Sequence, residues 1–308
     1  METSTLPQAA QTWTLRLPRG RALALGERPL VMGILNLTPD SFSDGGLWND
    51  PARAVDRALR MLREGADLLD LGAESTRPGG GVYGQGARTV PPAEEIDRLL
   101  PVLETLRRET DAPLSVDTRK GEVARRALEA GADLINDVSA LADPELARAV
   151  AASGCPVVLM HSRGELATMQ QDVRYQDLLG EVRSELAAAV ERAVAAGIAE
   201  RQIVLDPGLG FGKTWRQNLA LLRRLPELAR LGRPLLLGAS RKSFLARAVE
   251  AARPGTPPPA PADRLPGSLA AVGWAAAQGA ALLRVHDVAE TVQFLEVWRA
   301  IAGEGGQE

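Results

Sequence analysis

Residues 114–137 read LSVDTRKGEVARRALEAGADLIND and hold a complete strand–helix–strand unit. Short apolar runs end at Asp117 and at Asn136-Asp137, and a helical pattern from Gly121 to Ala130 lies between them. Two such strands joined by a helix are typical of a parallel sheet. Each strand ends on polar side chains that the folding of the unit does not require.

The same unit recurs along the chain. Apolar runs cover residues 31–35, 68–72, 114–116, 134–135, 157–160, 203–205, 235–238 and 281–283, and helical stretches separate them. Eight strands alternating with helices predict an α/β fold, a (β/α)8 TIM barrel. The carboxyl ends of the strands build the active site in such barrels. We therefore expect an enzyme with one polar site at that end of the barrel.

The segments around these runs complete the predicted fold. Helical patterns run from Asp50-Pro51 to about Glu64 and over 92–110, 121–130, 144–153 and 176–196. Residues 12–25 alternate around Pro18-Arg19-Gly20, which predicts a β-hairpin that plugs the amino end of the barrel. The proline-rich segment 253–266 is incompatible with a regular helix. One domain is expected over 1–308: an extension with the hairpin (1–28), the barrel (29–300) and a flexible tail (301–308).

Composition narrows the class of protein. Of the 308 residues, 45% are hydrophobic and 24% charged, which is ordinary for a soluble globular chain. A net charge of -3 leaves no basic footprint for nucleic acid. The single cysteine, Cys155, excludes an internal disulfide framework and fits a reducing compartment. We find no signal peptide and no membrane span, so a cytoplasmic protein without nucleic-acid or membrane partners is expected.

Two sets of strand-end residues suit an anionic ligand. Asn36 can offer an amide oxygen to a hard cation such as Mg2+, while Asp40 and Asp44 either act there too or stabilise turns. Arg284 and His286 lie two residues apart, on the same side of the last strand, and together suit a phosphate group. The chain has only two histidines, which excludes a multi-histidine metal site.

A second set suits a heterocycle. Asp117, Asn136 and Asp206 end three different strands, so their side chains can converge on the barrel axis and bind the edge of a 2-amino-4-oxo pyrimidine ring. The alternative is that they bond only to loop amides. His161, after the fifth strand, is a weaker functional candidate.

The loops after the last strands add further candidates. The glycines of residues 206–214 do not have the spacing of a P-loop or a dinucleotide fold, and we expect them to let backbone approach a ligand, with Phe211 offering a ring face. Lys242 can reach into the barrel as a donor. Ser240, placed at a predicted helix start, can present a hydroxyl where the helix amino terminus attracts an anion.

The joint motif set resembles the dihydropteroate synthase family over about residues 29–300. Residues 33–46 and 70–79 look like its two signature loops, and residues 115–118, 135–138, 206–213, 238–244 and 267–288 match in order. The resemblance implies condensation of 6-hydroxymethyl-7,8-dihydropterin pyrophosphate with 4-aminobenzoate, giving dihydropteroate and pyrophosphate. It further implies a Mg2+-dependent, usually dimeric barrel that is a sulfonamide target. Residues 79–91 are longer than the family pattern, and the loop after His161 lacks its usual proline.

The resemblance also assigns roles. It places pterin on Asp117, Asn136, Met160, Asp206 and Lys242; pyrophosphate on Asn36, Thr76, Arg284 and His286; and aminobenzoate on Phe42, Thr76, Arg77, Pro78, Phe211 and Ser240. Catalytic roles fall to Asn36, Asp40, Asp44, Lys242, Arg284 and His286, with the metal at Asn36. Two alternatives stay open: a pterin-dependent methyltransferase, and a catalytically silent paralogue that only binds pterin or a protein partner.

Overall fold

The computed structural model describes residues 11–37, 51–74, 90–165 and 168–303. Within these ranges the strands are β1 (Trp13–Arg16), β2 (Ala22–Leu25), β3 (Leu30–Asn36), β4 (Leu68–Gly72), β5 (Leu114–Asp117), β6 (Leu134–Asp137), β7 (Val157–Met160), β8 (Ile203–Asp206), β9 (Leu236–Leu237) and β10 (Leu282–Val285). The helices are α1 (Pro51–Arg63), α2 (Pro92–Glu109), α3 (Gly121–Glu129), α4 (Pro144–Ser153), α5 (Leu178–Ala195), α6 (Trp215–Arg223), α7 (Leu225–Ala229), α8 (Ser243–Ala252), α9 (Leu265–Ala277) and α10 (Val288–Ala302).

The strands β3 to β10 form the predicted parallel barrel. Their order is β8-β7-β6-β5-β4-β3-β10-β9, and a parallel bridge between Leu205 and Leu235 joins β8 to the start of β9. Helices lie between successive strands, so the (β/α)8 prediction is confirmed within the described residues. Each of the eight predicted apolar runs coincides with a strand to within two residues at either end.

Alternate strand residues face two different cores, because successive side chains of a strand point to opposite faces. In β4, Leu69 and Leu71 pack in the large cluster between strands and helices. Leu68 instead joins a second cluster inside the amino end of the barrel, with Leu134, Val158, Val204, Leu236 and Leu282 from other strands. Residues two positions further along each strand therefore line the interior nearer its carboxyl end.

The predicted hairpin exists and closes the amino end of the barrel. Strands β1 and β2 pair antiparallel, with Trp13 opposite Leu25. Leu15, Leu17, Leu23 and Leu25 of the hairpin share the interior cluster with the first residues of the barrel strands. Buried apolar contact thus holds the plug in place.

An ion cluster fixes the hairpin from the side. The fully buried carboxylate of Asp133 accepts from Arg19 at 2.5 Å, from Arg107 at 2.8 Å and also from Arg21. It also accepts from the backbone N–H of Leu114 at 3.0 Å. Two arginines of the hairpin region and one of α2 therefore meet on one carboxylate.

Local signals set the helix boundaries. Helix α4 begins after Asp143, whose side chain accepts from the N–H of Glu145 at 2.8 Å. Helix α5 begins at Leu178 rather than at the predicted residue 176, because Asp177 is its amino cap and accepts from Gly180 N–H. The exclusion of helix from 253–266 is wrong at its end: α9 begins at Leu265, since Pro266 in a first turn has no N–H to lose.

Among the described residues, no helix combines the length and the apolar character needed to cross a bilayer.

Candidate active site at the carboxyl end of the barrel

Polar side chains replace the apolar interior at the carboxyl ends of the strands. Asp70 of β4 and Asp117 of β5 are buried, as are Asn136 of β6 and Asp206 of β8. Arg284 of β10 is one-fifth exposed and reaches the same interior. The strand ends therefore place Asp117, Asn136 and Asp206 at one end of the barrel, as predicted.

Arg284 bonds to two of these residues, Asp70 and Asp117, and Asn136 bonds to Asp70. Its Nε donates to Asp70 Oδ2 at 2.5 Å, and its Nη2 donates to Asp117 Oδ2 at 2.8 Å. Asn136 Nδ2 donates to the same Asp70 oxygen at 3.0 Å. Burial raises the pKa of Asp117, and Arg284 opposes that shift. Burial lowers the pKa of Arg284, but Asp70 and Asp117 outweigh it and the net shift is upward. Arg284 therefore keeps its positive charge.

Several buried acceptor atoms near Arg284 have no hydrogen-bond partner within the described structure. Asp117 Oδ1, Asp70 Oδ1 and Ser115 Oγ are buried and have no hydrogen-bond partner among the described residues. A buried polar atom without a partner costs about 1–3 kcal/mol. Asp117 therefore presents an unsatisfied acceptor where a ligand N–H can bind, and the alternative that it bonds only to loop amides does not account for this atom.

Lys242 and Phe211 lie across the same end of the barrel. Lys242 Nζ donates to the carbonyl of Leu209 at 2.6 Å and lies 4.9 Å from the centre of the Phe211 ring. Burial lowers the pKa of Lys242 to about 8, with Asp206 opposing. The Phe211 ring packs in a small apolar cluster with Met160, Val138 and Met169. A cation and an apolar face are thus adjacent, as a flat heterocycle with polar edges requires.

Ser240 meets His286 rather than a helix terminus. Ser240 Oγ lies 3.1 Å from His286 Nδ1 and accepts from His286 N–H at 3.2 Å. The prediction that Ser240 starts a helix is wrong: α8 begins at Ser243, because Arg241 adopts a left-handed conformation with φ 58°. Burial and, to a smaller extent, the charge of Arg284 lower the pKa of His286 to about 3, so its imidazole is neutral near pH 7.

The glycines of residues 206–214 serve a different contact from the one predicted. Gly208 has φ 65°, and a Cβ there would lie 1.8 Å from the carbonyl oxygen of His161. A Cβ on Gly212 would lie 2.6 Å from the carbonyl oxygen of Arg163. Gly208 and Gly212 thus let the loop after β8 approach the loop after β7, and the approach of this backbone to a ligand stays a prediction.

His161 contacts this loop and forms hydrogen bonds within the protein. Its side chain is 1% exposed, with Nε2 3.0 Å from Glu185 Oε2 and Nδ1 2.8 Å from Lys213 Nζ. Burial lowers the pKa of His161 to about 4. It is therefore a neutral, internally bonded histidine.

The remaining predicted residues fall outside the described ranges or at their edge. Asp40, Phe42, Asp44, Thr76, Arg77 and Pro78 are outside them. Asn36 is exposed at the last position of β3, with its backbone paired beside Gly72. No group of three or more His, Cys, Asp or Glu side chains suited to a metal occurs among the residues described.

The one amide oxygen of Asn36 is compatible with Mg2+. This ion keeps several waters and takes substrate phosphates with only one or two protein oxygens. A cage of several carboxylates is therefore not needed.

Two residues of the site were not predicted. Asp70 lies inside the run Leu68–Gly72. A charged residue at an interior position of an apolar strand is the signal that could have identified it. Lys213 gave a weaker signal, as one of only three lysines in the chain.

Known proteins are similar to this chain over most of its length. A family model described as pterin binding enzyme matches residues 32–286. Dihydropteroate synthase of Synechocystis is 45% identical over 298 residues, covering 96% of this chain and 98% of the relative.

Solved structures agree with this over the whole barrel. Xanthomonas albilineans dihydropteroate synthase with 4-aminobenzoic acid is 46% identical with a TM-score of 0.83, covering 95% of this chain and 99% of that one. Yersinia pestis dihydropteroate synthase in a sulfonamide drug complex is 44% identical with a TM-score of 0.84, covering 95% and 100%. With its polar barrel end and this likeness over nearly its full length, the chain belongs to the dihydropteroate synthase family of pterin-binding enzymes.

Proposed function

We propose that the polar end of this barrel condenses 6-hydroxymethyl-7,8-dihydropterin pyrophosphate with 4-aminobenzoate, releasing pyrophosphate and forming 7,8-dihydropteroate. Membership of a transferase family supports the reaction. The observation that carries it is the buried set of Asp117, Asn136 and Asp206, which leaves Asp117 Oδ1 without a partner among the described residues.

The pterin would lie over this set. Carboxylates accept from the 2-amino and ring N–H groups, and the Asn136 amide can both donate and accept. Lys242 would donate to a ring nitrogen or carbonyl from the other side. Met160 and Phe211, packed together, would cover an apolar face of the ring. These roles follow from the resemblance, and the described geometry is compatible with each.

The pyrophosphate would leave near Arg284. The bond between the pterin methylene carbon and the oxygen breaks, the electron pair departs with pyrophosphate, and the dihydropterin ring delocalises the resulting cation. The charged guanidinium of Arg284 and the neutral imidazole of His286 would stabilise the departing oxygens; one fixed donor of this kind contributes about 3–4 kcal/mol. Asn36 and Thr76 would complete this subsite.

Aminobenzoate would then attack the methylene carbon. Its aryl amine is neutral near pH 7, forms the new C–N bond and loses a proton, so no strong base is required. Phe211 and Ser240 would line its pocket, with Phe42, Thr76, Arg77 and Pro78 contributed by the two signature loops. Exclusion of water would protect the cation from hydrolysis.

Asn36 would hold Mg2+, and Asp40 and Asp44 of the first loop would act nearby. When bound, the ion would offset the negative charge of pyrophosphate. This proposal rests on the amide oxygen at the exposed end of β3 and on the family resemblance.

We also propose a homodimer that acts in the cytoplasm. Trp274 of α9 and Val297 and Ile301 of α10 are 48%, 56% and 81% exposed, more than a typical apolar side chain. Sedimentation analysis tests the dimer, and a monomer at micromolar concentration would contradict it. Cys155 is buried, and burial raises the pKa of its thiol to about 11, so this thiol is unreactive.

Methyl transfer is the second candidate reaction. A methyl donor without a pyrophosphate has no evident need for Arg284 and for the Ser240–His286 contact, which are both present. A silent paralogue would bind pterin without forming product.

The variant Arg284→Ala tests the leaving-group role. We expect turnover to fall about 100- to 1,000-fold, because a fixed donor to the departing charge is lost. Turnover is measured by pyrophosphate release, and folding by the midpoint of thermal unfolding, because Asp70 and Asp117 also lose their partner. Arg174→Ala, which alters a side chain that is 85% exposed, is the control. Unchanged turnover in the folded Arg284→Ala protein would remove Arg284 from the mechanism.

A further inference from the structure

We propose that Lys213 is a positioning residue, whose ammonium group fixes the loop that presents Asp206 and Phe211 to the substrates. This inference rests on the proposed function, because it concerns the same pterin and aminobenzoate sites. Lys213 itself would not touch either substrate.

The ammonium group of Lys213 is buried among close hydrogen-bond acceptors. Lys213 is 2% exposed, and its Nζ lies 3.0 Å from the carbonyl oxygen of Gly208 and 2.9 Å from that of Phe211. Its third near partner is His161 Nδ1 at 2.8 Å. An ammonium has three N–H donors and no acceptor, so three close acceptors match its charged form. Burial lowers the pKa of Lys213 to about 7, whereas Asp206 favours the charged form.

The contact between Lys213 and His161 depends on the tautomer of the imidazole ring. For Nδ1 to accept from Lys213, the ring proton must be on Nε2, and Nε2 lies 3.0 Å from the carboxylate of Glu185. Glu185 is also paired with Arg163, and these side chains hold its pKa at about 2. The carboxylate therefore selects the tautomer of His161 that Lys213 requires.

Backbone hydrogen bonds link Lys213 to the site. Gly208, whose carbonyl accepts from Lys213, donates its N–H to Asp206 Oδ1 at 2.7 Å. Phe211, whose carbonyl also accepts from Lys213, carries the ring beside Met160 and Lys242. Leu209, between them, accepts from Lys242 at 2.6 Å. The turn that Lys213 clamps thus touches Asp206, Lys242 and Phe211.

The energetic cost of burying Lys213 favours a role in positioning the side chains that would bind the ligands. A buried ammonium costs several kcal/mol to desolvate, and a well-packed apolar side chain would often serve stability equally well. Residues 208, 210 and 212 are glycines with positive φ, and glycine loses more conformational freedom on folding than any other residue. Such a turn needs an external clamp to hold one conformation, and Lys213 bonds to both of its ends.

The test compares Lys213→Met with Asp133→Asn. Methionine has a similar length but no charge and no donor. Asp133 lies at the opposite end of the barrel, so its variant loses stability without altering the site. Dissociation constants for the pterin pyrophosphate are measured by calorimetry, and kcat and KM for aminobenzoate are measured separately.

We expect Lys213→Met to raise the pterin dissociation constant at least tenfold and to raise KM for aminobenzoate. Asp133→Asn should lower the unfolding midpoint and leave both constants unchanged. A folded Lys213→Met protein with unaltered constants would overturn the inference. Wild-type protein that binds no pterin would overturn the proposed function, and the inference with it.

A second pair of variants decides the matter if Lys213→Met does not fold. His161→Asn keeps an acceptor near the position of Nδ1, whereas His161→Leu removes it. We expect His161→Asn to keep pterin affinity within about threefold of wild type, and His161→Leu to lose about tenfold. Equal affinity in the two variants would overturn the inference.

Discussion

Arg284 carries its charge inside the barrel, against Asp70 and Asp117. Breaking such a buried pair by removing one partner costs about 3–5 kcal/mol, whereas the pair itself adds little net stability. The residues of the site are therefore interdependent, and a substitution is informative only when folding and binding are measured separately. Asp206 is the clearest single residue to test. It lies near Arg284, but in the described structure its carboxylate accepts from Gly208 N–H and has no hydrogen bond to Arg284.

Asp206→Asn should abolish recognition of the 2-amino edge of the pterin. The substitution keeps shape and one acceptor, so Gly208 N–H can still bond to it, but it removes the charge and one acceptor. We expect the dissociation constant for the pterin pyrophosphate to rise at least 100-fold, measured by calorimetry. Asp172→Asn, which alters a side chain that is 70% exposed, is a control for carboxylate loss. Normal affinity in Asp206→Asn would place the pterin elsewhere.

His161 predicts a pH dependence of stability. Its pKa is lowered to about 4 in the folded chain, against 6.5 as the ordinary value, because burial disfavours the charged ring. The unfolded chain then binds more protons between these values, so this residue's contribution is lost as pH falls from 6.5 towards 4. We expect the free energy of unfolding of wild type to fall relative to His161→Asn by about 1.4 kcal/mol per pH unit in that window.

The comparison with His161→Asn is necessary because other groups change the free energy of unfolding in the opposite direction as pH falls. Burial raises the pKa values of Asp117 and Asp206, and those carboxyls add stability as pH falls. Urea unfolding at pH 7, 6 and 5 measures the difference between the two proteins. Parallel pH profiles would mean that His161 is not buried in its neutral form.

At the scale of elements, the sequence predicts strands better than the turns that follow them. Strand β6 ends at Asn136-Asp137, and the apolar run before it reveals both its position and its end. The turn at Ser240 is different: Arg241 has φ 58° and pairs through two atoms with Asp287, a residue 46 positions away. No local pattern reports such a contact, so Ser240 was placed at a helix start. The contact of Gly208 with the carbonyl of His161 is likewise one that no local pattern predicts.

The attachment of the hairpin depends in part on the side chain of Asp133. Asp133→Asn removes the charge on which Arg19, Arg21 and Arg107 converge. Because the arginines keep partial access to water, we expect a loss of about 2 kcal/mol rather than the full cost of a broken buried pair. Chemical denaturation measures it. An unfolding free energy within 0.5 kcal/mol of wild type, roughly the scatter of surface substitutions, would show that apolar contacts alone hold the plug.

At the scale of the whole molecule, the order of strands and helices was enough to predict a barrel with a polar carboxyl end. The interior charge on Asp70 and the clamp by Lys213 could not be assigned from the chain alone, because both depend on pairings between distant strands and loops. Asn136 and Asp70, for example, are 66 positions apart. Closure of the barrel brings these groups together, so its topology and its binding site arise from the same contacts.

We propose that this polar end releases pyrophosphate from a pterin and passes the pterin to an aryl amine. The direct measurement is pyrophosphate release from the dihydropterin pyrophosphate in Mg2+, with and without 4-aminobenzoate, alongside assay of dihydropteroate. We predict one dihydropteroate for each pyrophosphate released when aminobenzoate is present. Pterin binding without pyrophosphate release would contradict the claim and leave a silent pterin-binding barrel or a methyltransferase.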